Sequence, residues 1–512
     1  MAKRLGLTAS LALLSFAAVL GATGAAAALP PRTSHADAPG IDWFPGNVEA
    51  AFAAAKRANK PVFLYWGAKW CPPCQQLKSS VFSRSDFIAK TKQFVAVYLD
   101  GDDPGAQRWG ETFHVSGYPT VVVLRADQRE ITRISGGIDL SLYADLLDAA
   151  LGDVEPLSDV LATLKQNPAS LSAAQCRRLA YYNWDVADFS ALDKESIAAS
   201  LAQNADTCAG LSPIERARFT VISAALAPTP QTVAAVSSIV ADPAISLRVA
   251  DALEDLGDTF YAAVQDLGTA DAAKFQHNWS IVMDGIADDA RVIDADQLVA
   301  LGKNLELIKH FAADHVVPAD LAAQARARVG AALEKKMDAY VRAGVVNSAS
   351  FVYDQLGDDA AEYAMLEAEL ATAKAPYYYM VDLGDIEEKR GHTSEALAWY
   401  ARAYRESRGI ATRFQWGCTY LQALLRLAPQ DRARIRRIGL EVIGELDGPD
   451  RIQARTRRRL EKLDESLRQW SEAQHATSAI RALHARMSVL CARLPGQDSG
   501  LASCRKFLQS AG

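Results

Sequence analysis

Residues 61–74 have the sequence PVFLYWGAKWCPPC, in which an apolar run is followed by two cysteines three positions apart. The run at 62–66 is typical of a buried strand, and a proline separates it from the helix pattern of residues 47–60. Cys71 and Cys74 then begin the next helix, where a spacing of three places both sulfur atoms on one face and within bonding reach. This stretch therefore predicts a strand, a dithiol and a helix in direct succession.

Cys71 would lie at the start of that helix, where backbone N–H groups lack helical partners and the helix dipole is positive. Both features stabilise a thiolate, and Cys-X-X-Cys motifs lower the cysteine pKa from about 8.5 to between about 3.5 and 7.5. Pro72 and Pro73 suit the first helical turn but remove two N–H donors, which favours a moderate shift of the Cys71 pKa. The sequence therefore predicts Cys71 as an exposed nucleophile and Cys74 as the resolving thiol of a redox-active Cys71–Cys74 disulfide.

Two other roles for this cysteine pair have less support. A zinc site would need a second pair of ligands, and the sequence has no other Cys-X-X-Cys and no close cluster of cysteine and histidine. A structural disulfide that closes so short a loop would add little stability, because the stabilisation grows with loop length. We therefore expect no metal and no small-molecule cofactor in this protein.

Further strands and helices follow the cysteine pair and alternate along the chain. Apolar runs predict strands at 94–99, 120–124 and 131–134, and helix patterns occupy 106–113 and 139–151. Strands that alternate with helices indicate a layered α/β domain, and the polar turn between the last two strands indicates a hairpin.

Residues 44–152 resemble the thioredoxin superfamily. The resemblance rests on the strand before Trp70-Cys71-Pro72-Pro73-Cys74 and on Gly117-Tyr118-Pro119-Thr120 further along the chain. The second phrase, and the segment that precedes the cysteines, are closer to exported thioredoxin-like proteins than to the cytosolic enzyme. The resemblance thus implies a thioredoxin-like α/β fold for 44–152.

The resemblance also implies roles for individual residues. In that family the matching proline is cis and lies beside the sulfurs, so Pro119 would be cis and the Tyr118 backbone would pair with an extended substrate segment. Trp70 would shield the other side of the sulfurs. Tyr65 stands where thioredoxin has a buried aspartate, which leaves bulk water or Lys69 as candidates to deprotonate the second cysteine.

The implied reaction is thiol–disulfide exchange with protein substrates. Cys71 would attack a substrate disulfide to form a mixed disulfide, and Cys74 would resolve it, leaving the pair oxidised. A proline before the second cysteine is similar to reducing and relay members of the family, whereas strongly oxidising members have a histidine inside the motif. The implied partners are proteins with disulfides or thiols and a protein that donates or accepts electrons.

The N-terminus predicts export. Residues 1–28 contain two basic residues, an uncharged apolar run and a series of small residues, which is the order of a cleavable secretory signal. An uncleaved membrane anchor is the alternative. Residues 29–43 lack periodicity and are expected to form a mobile linker. We expect the bacterial periplasm as the compartment, with secretion or N-terminal anchoring in a membrane as the alternatives.

The composition excludes several other classes of protein. The chain has 512 residues, enough for about three domains, and its hydrophobic content of 50% excludes wholesale disorder. With 61 acidic and 55 basic residues the net charge is −6, and this lack of a basic excess argues against a nucleic-acid partner. The arginine-rich stretch 432–459 has interleaved acidic residues and is expected to be a solvated helix face. Only the N-terminus has a long uncharged stretch, so the chain is not a polytopic membrane protein.

After residue 152 the pattern changes to helical spacing. We expect α-helical regions at 153–375 and 376–512, arranged as helical hairpins in a bundle or solenoid. Prolines divide the pattern into stretches of helix-pair length. Near 380–410 small and aromatic residues have the spacing of one tetratricopeptide-like unit, with an unrelated helical hairpin as the alternative; these residues are Gly384, Gly391, Ala396, Tyr400 and Ala403.

The other five cysteines lie in the helical region. In an oxidising compartment Cys176–Cys208 and Cys491–Cys504 are candidate structural disulfides, and buried free thiols are the alternative. Cys418 is left without a candidate partner, and its apolar surroundings in the sequence predict a buried, inert thiol.

The sequence as a whole predicts an exported thiol–disulfide oxidoreductase, with disulfide reduction or electron relay as the favoured direction. Its helical region would dock a client or orient the redox domain. The alternative is a helical-repeat interaction or chaperone-like protein whose thioredoxin-like head binds extended chains without redox turnover. The cysteine pair favours the enzyme, since a binding module needs neither cysteine.

Overall fold

A computed structural model of the chain describes residues 40–69, 71–115, 117–135, 142–182, 184 and 193–509. The predicted signal at 1–28 and most of the predicted linker lie outside these residues. So does Trp70, one of the predicted site residues.

The first part of the chain folds into alternating helices and strands. The predicted order of α/β elements is confirmed, and one short helix that the sequence pattern did not predict, α3, follows the cysteine helix. The elements are α1 (Val48–Ala58), β1 (Val62–Gly67), α2 (Pro72–Ser80), α3 (Ser85–Thr91), β2 (Val95–Asp100), α4 (Pro104–Thr112), β3 (Thr120–Leu124), β4 (Glu130–Ser135) and α5 (Leu142–Gly152).

The four strands form one mixed sheet in the order β2-β1-β3-β4. β1 is parallel to β2 and antiparallel to β3, and β3 and β4 form the predicted antiparallel hairpin. All six residues of β1 are buried because the strand is central and both faces of the sheet are covered. The side chains of β1 therefore divide between two apolar cores, with Phe63 and Tyr65 in one and Leu64 and Trp66 in the other.

The domain begins slightly earlier than the sequence predicted. Ile41 and Trp43 are buried in the core of the sheet, and the Trp43 ring stacks on Tyr65 with 6.1 Å between ring centroids. The amide of Phe44 also donates to the carbonyl of Ala96, at 2.7 Å. The predicted linker of 29–43 therefore extends too far, because its last residues pack as part of the domain.

The regular structure described beyond Gly152 is helical, which confirms the predicted all-helical region. A 3-10 turn (Pro168–Ser170) follows the first of these helices. The first half contains α6 (Leu157–Gln166), α7 (Ala173–Ala180), α8 (Lys194–Thr207), α9 (Pro213–Leu226), α10 (Pro230–Val240), α11 (Pro243–Ser246), α12 (Ala250–Glu254), α13 (Asp258–Gln265), α14 (Thr269–Ala287) and α15 (Asp294–Phe311).

Helices of similar length continue to the end of the described chain. Helices that follow each other in the sequence often pack together, as α19 does with α20 and α20 with α21. These helices are α16 (Ala319–Glu334), α17 (Ala339–Leu356), α18 (Asp359–Glu369), α19 (Pro376–Lys389), α20 (Thr393–Glu406), α21 (Ile410–Leu427), α22 (Arg432–Gly444), α23 (Ala454–Gln474), α24 (Thr477–Cys491) and α25 (Leu501–Lys506).

The prolines that divide the helical pattern begin helices. Pro213, Pro230 and Pro376 each occupy the first turn of a helix, where the missing N–H has no helical partner to lose. Ser212 and Glu215 cap the start of α9 reciprocally, because each side chain accepts a hydrogen bond from the other residue's backbone N–H.

Helix α19 joins two large apolar cores of the helical region. Tyr379 and Leu383 belong to the core built from residues 217–386, whereas Tyr377 and Met380 belong to the core that continues to residue 508. The predicted division at 375/376 thus coincides with the start of a helix that both cores share. Among the helices that the structure describes, none combines the length and apolar character needed to cross a bilayer.

Candidate redox site

The cysteine pair lies where β1 leads into α2. Cys71 is the N-cap of α2, with extended backbone angles, and its Sγ accepts a hydrogen bond from the Cys74 amide at 3.2 Å. The two residues form a disulfide with their Cα atoms 5.2 Å apart. Pro72 and Pro73 fill the first turn of α2, where they displace no helical hydrogen bond. This geometry places the sulfur of Cys71 at the positive end of the helix.

The loop with Tyr118 and Pro119 lies at the same edge of the sheet. Thr120, the first residue of β3, pairs with Trp66 near the end of β1, so the cysteine loop and the Tyr118–Pro119 loop leave adjacent strand ends. The peptide bond between Tyr118 and Pro119 is cis. The Tyr118 ring packs against Gly101, where a Cβ atom would overlap the ring. Its hydroxyl donates to the Gly101 carbonyl at 3.2 Å, which fixes the ring.

Tyr65 is fully buried at the position where thioredoxin has a buried aspartate. Its ring meets Phe82 edge-on, at 4.8 Å between centroids, and stacks on Tyr98 at 5.5 Å. The Lys78 ammonium lies 4.9 Å from the centre of the Tyr98 ring. An aromatic cluster with a nearby cation therefore takes the place of a carboxylate on this strand.

Cys71 is buried, which differs from the exposed nucleophile that the sequence predicts. Its exposed fraction is 3%, and that of Cys74 is 0%. Both cysteines belong to an apolar cluster with Ala68 from their own loop and with side chains from the C-terminal helices, among them Tyr377 and Met380 of α19. The helical region thus contributes to the apolar cluster that surrounds this disulfide.

Two C-terminal helices, α21 and α23, make polar contacts with the thioredoxin-like part, and α19 contributes apolar side chains to the cluster around the cysteines. We call α19, α21 and α23 the covering helices. Thr412 of α21 donates to an Asp102 carboxylate oxygen at 2.9 Å. Arg457 of α23 forms an ion pair with Glu111 of α4. The Arg455 guanidinium lies over the Tyr118 ring, 5.0 Å from its centre.

The first part of the arginine-rich stretch is solvated as the sequence predicts, with Arg432, Arg436 and Arg437 of α22 exposed, but its second part on α23 is not. Arg455 and Arg457 reach across to the thioredoxin-like part, and burial lowers the pKa of Arg459. Sequence analysis missed all of these contacts, and it missed the role of Asp102. The pairs are separated by more than 300 residues, so no local pattern could have revealed them.

The remaining cysteines lie in the helical cores. Cys176–Cys208 joins α7 to the end of α8, and Cys491–Cys504 joins α24 to α25, with Cα separations of 6.6 and 5.7 Å. Cys418 of α21 is a buried free thiol, and burial raises its pKa to about 12. Within the described residues no group of three or more metal-ligating side chains is gathered.

Comparison with known proteins assigns the first part of the chain. Residues 48–151 match the family model for a thioredoxin-like domain. A segment of 110 residues is 26% identical to the thiol:disulfide interchange protein DsbD 1 of Pseudomonas aeruginosa, covering 21% of this chain and 19% of that protein. The chain thus spans about a fifth of the length of the relative that it matches, and the match supports thiol–disulfide chemistry in general terms. The chain accordingly contains a thioredoxin-like domain at residues 48–151, followed by a large helical region.

Proposed function

We propose that this protein is an exported thiol–disulfide oxidoreductase that reduces protein disulfides or relays electrons to them. Cys71 acts as the nucleophile and Cys74 as the resolving thiol. The observation that carries this proposal is the Cys71–Cys74 disulfide at the first turn of α2 in a thioredoxin-like domain, with an N–H donor already directed at the Cys71 sulfur. A hydrogen bond to the charged form favours ionisation, so the same donor stabilises the Cys71 thiolate once the pair is reduced.

The exchange proceeds in two steps. The Cys71 thiolate attacks one sulfur of a client disulfide, forming a mixed disulfide and releasing the other client sulfur as a thiolate. The Cys74 thiolate then attacks the Cys71 sulfur, which releases the second client thiolate and leaves Cys71–Cys74 oxidised. Two electrons pass to the client, and a protein electron donor restores the dithiol. Backbone groups beside the Tyr118–Pro119 bond lie at the same edge of the sheet and are available to hold an extended client segment.

The helical region controls access to the cysteines in this proposal. A client sulfur must approach Cys71 in line with the bond that breaks, and Cys71 is buried in an apolar cluster that includes side chains of the covering helices. Exchange therefore requires α19, α21 and α23 to move away from the cysteine loop. The polar contacts made by Thr412, Arg455 and Arg457 are the ones that break.

Export and a tetratricopeptide-like unit are parts of the same proposal. Two disulfides in the helical region suit an oxidising compartment, in agreement with the signal-like sequence of 1–28. Within the pair α19 and α20, the Tyr400 ring packs so closely on Gly384 that a Cβ atom there would lie 2.8 Å from it. This close contact through a small residue is what a repeat of that type requires.

A second candidate function is favoured by the burial of Cys71. A protein that binds a partner through its helices, and uses the thioredoxin-like head without turnover, would tolerate a covered disulfide. Such a protein would bind extended chains equally well when either cysteine is replaced.

Insulin reduction driven by a dithiol separates the two functions. We expect turnover in the wild type, at least about a hundredfold loss in Cys71→Ser, and no loss in Cys418→Ser, which removes a thiol outside the reaction. Wild-type protein without turnover, or turnover that survives Cys71→Ser, would reject the oxidoreductase. In the exporting cell, Cys74→Ala should accumulate clients as mixed disulfides on Cys71, because resolution is blocked.

A further inference from the structure

A cavity of about 500 Å³ opens beside the cysteine loop, between the thioredoxin-like domain and the helical region. Lys69 and Gln75 line one side, and Tyr340 of α17 and Tyr378 of α19 line the other. The Gln75 side-chain amide donates to the carbonyls of Ala68 and Lys69, both at 3.0 Å. The wall on the redox side is thereby tied to the loop that carries Cys71.

The charged side chains around this cavity are mostly basic. Its lining includes five cationic side chains and one carboxylate; they are Lys69, Lys335, Lys336, Arg342, Lys374 and Glu369. Glu369 is already paired with Arg342, Lys335 is paired with Asp294, and Lys69 is partly offset by Asp103. Lys336 and Lys374 keep the cavity positive on a chain whose net charge is −6.

Aromatic side chains supply the rest of the surface. Tyr340 is 38% exposed, and Tyr378 and Tyr379 line the cavity with it. The volume falls within the range of about 300–1,000 Å³ that is common for sites of small ligands. A short peptide segment with acidic and apolar side chains matches both the charge and the aromatic walls.

We propose that this cavity binds an acidic segment of the client, close in sequence to the client cysteine that reacts with Cys71. Acidic side chains lie against Lys336 and Lys374, and apolar ones lie against the tyrosines. The inference rests on the proposed function, because it names the class of client that the redox site receives.

Helix α19 connects this cavity with the covered disulfide. Tyr378 and Tyr379 line the cavity, while Tyr377 and Met380 of the same turn belong to the apolar cluster around Cys71. A segment bound in the cavity therefore contacts the helix that must move before exchange. Residues 377–380 of α19 therefore couple binding of the client segment to uncovering of the Cys71–Cys74 disulfide.

Peptide binding tests the inference without any redox step. The probe is a fluorescein-labelled peptide of acidic and aromatic residues that lacks cysteine, compared with a peptide of the same length in which lysine replaces each acid. Fluorescence anisotropy with the full-length oxidised protein should show at least about tenfold tighter binding of the acidic peptide. This preference should weaken as salt rises from about 50 mM to about 300 mM, since the screening length shortens.

Charge reversal at the cavity provides the decisive comparison. Lys336→Glu/Lys374→Glu should weaken binding of the acidic peptide about tenfold, because like charges then face each other. Lys274→Glu/Lys462→Glu makes the same change in net charge at exposed sites outside the cavity lining, and it should retain wild-type binding within about twofold. Equal affinity for the two peptides, or an equal loss in both variants, would overturn the inference.

A neutral substrate separates this inference from the proposed function. Reduction of uncharged hydroxyethyl disulfide by the wild type measures the redox step without any acidic segment. If the wild type binds the acidic peptide but fails to reduce the neutral disulfide, the oxidoreductase is rejected and the binding site stands. If it reduces the neutral disulfide but shows no preference for the acidic peptide, the oxidoreductase stands and the binding site is rejected.

Discussion

Cys71–Cys74 and Cys176–Cys208 are both buried disulfides, but different parts of the chain bury them. Cys176 and Cys208 lie in an apolar core made by the helices that carry them. The apolar cluster that contains Cys71 and Cys74, by contrast, is built mostly by helices more than 300 residues further along the chain, with Ala68 and Tyr118 from the thioredoxin-like part. The first kind of burial belongs to a local fold, whereas the second depends on how two parts of the molecule pack. A change in the packing between the two parts would therefore affect the second burial and not the first.

The largest effect that we expect is on the alkylation rate of Cys418, the free thiol of the helical region. Because burial raises the pKa of Cys418 to about 12, its thiolate fraction at pH 8 is about a thousandfold or more below that of an ordinary cysteine. Iodoacetamide should therefore modify Cys418 of the native oxidised protein at least about a thousandfold more slowly than free cysteine. Mass spectrometry of the alkylated protein measures this rate.

Unfolding in urea provides the control for this experiment, since Cys418 should then react at the ordinary rate. Native protein that is alkylated at Cys418 within about tenfold of the free rate would show that the site is open. The regions around Cys71–Cys74 and Cys176–Cys208 would then both need to be considered mobile.

Removal of the helical disulfide should have the next largest effect. Loop-closure entropy for a separation of 32 residues corresponds to about 3–4 kcal/mol, against about 2 kcal/mol for a separation of 3. Cys176→Ala/Cys208→Ala should lower the free energy of unfolding by about that larger amount. Guanidinium unfolding followed by circular dichroism measures it.

The same double variant should leave disulfide exchange intact. Turnover per folded molecule is expected to match that of the wild type, because these cysteines lie outside the candidate redox site. A loss of turnover at full folding would contradict the division between structural and redox disulfides.

The packing between the two parts of the molecule can be broken at one ion pair. Arg457→Glu places two carboxylates together at the Arg457–Glu111 contact, so the covering helices should separate from the cysteine loop more often. We expect dithiothreitol to reduce Cys71–Cys74 about tenfold faster, as followed by labelling of the released thiols.

Charge exchange distinguishes this effect from general destabilisation. Glu111→Arg/Arg457→Glu restores the pair in the opposite direction and should return the rate to within about threefold of wild type. Arg437→Glu, which disrupts an exposed pair with Glu441 on α22, should leave the rate unchanged. A double variant that reacts as fast as Arg457→Glu alone would refute the role of this contact.

The smallest effect concerns an acid that the helical packing itself buries. Burial raises the pKa of Glu362 on α18 to about 7, so its carboxyl group is neutral in the folded protein at pH 5. The unfolded chain, with a pKa near the ordinary value of about 4.3, releases that proton earlier as the pH rises. The stabilisation is therefore present below about pH 4 and is lost as the pH rises towards 7.

Glu362→Gln should remove this pH dependence. Relative to wild type, its gain in stability should be about 2–3 kcal/mol larger at pH 8 than at pH 5, as measured by denaturant unfolding at the two values. Glu367→Gln changes an exposed acid on the same helix and should show no such difference between pH values. The burial of this carboxyl group would be contradicted if the free energy of unfolding of the wild type were the same at pH 5 and pH 8. The same holds if Glu362→Gln changed that free energy by an equal amount at both pH values.

Structural features that depend on short-range order could be predicted from the sequence. The apolar run of β1, the hairpin of β3 and β4 and the all-helical region each follow from periodicity and turn residues that lie close together in the chain. Helix α3 was not predicted from the sequence, because its seven residues span less than two turns of helix and give too short a pattern.

The candidate site was predicted only in part, for the same reason. The positions of Cys71, Cys74, Tyr118 and Pro119 in the fold follow from local spacing and from resemblance to a family. The contacts of Arg455, Arg457 and Thr412 with the thioredoxin-like domain do not, because an arginine in a charged helix looks the same in the sequence whether it meets water or another domain.

The sequence alone determined that a dithiol stands at the start of a helix behind a buried strand, and that a long helical region follows. These features depend on hydrogen bonds and side-chain spacing within a few residues. Only the tertiary structure decided that the dithiol is buried, that arginines of α23 reach the Tyr118 loop and that a basic cavity opens beside Cys71. Those features arise when surfaces far apart in the chain bury apolar area together, and no segment of the sequence carries both surfaces.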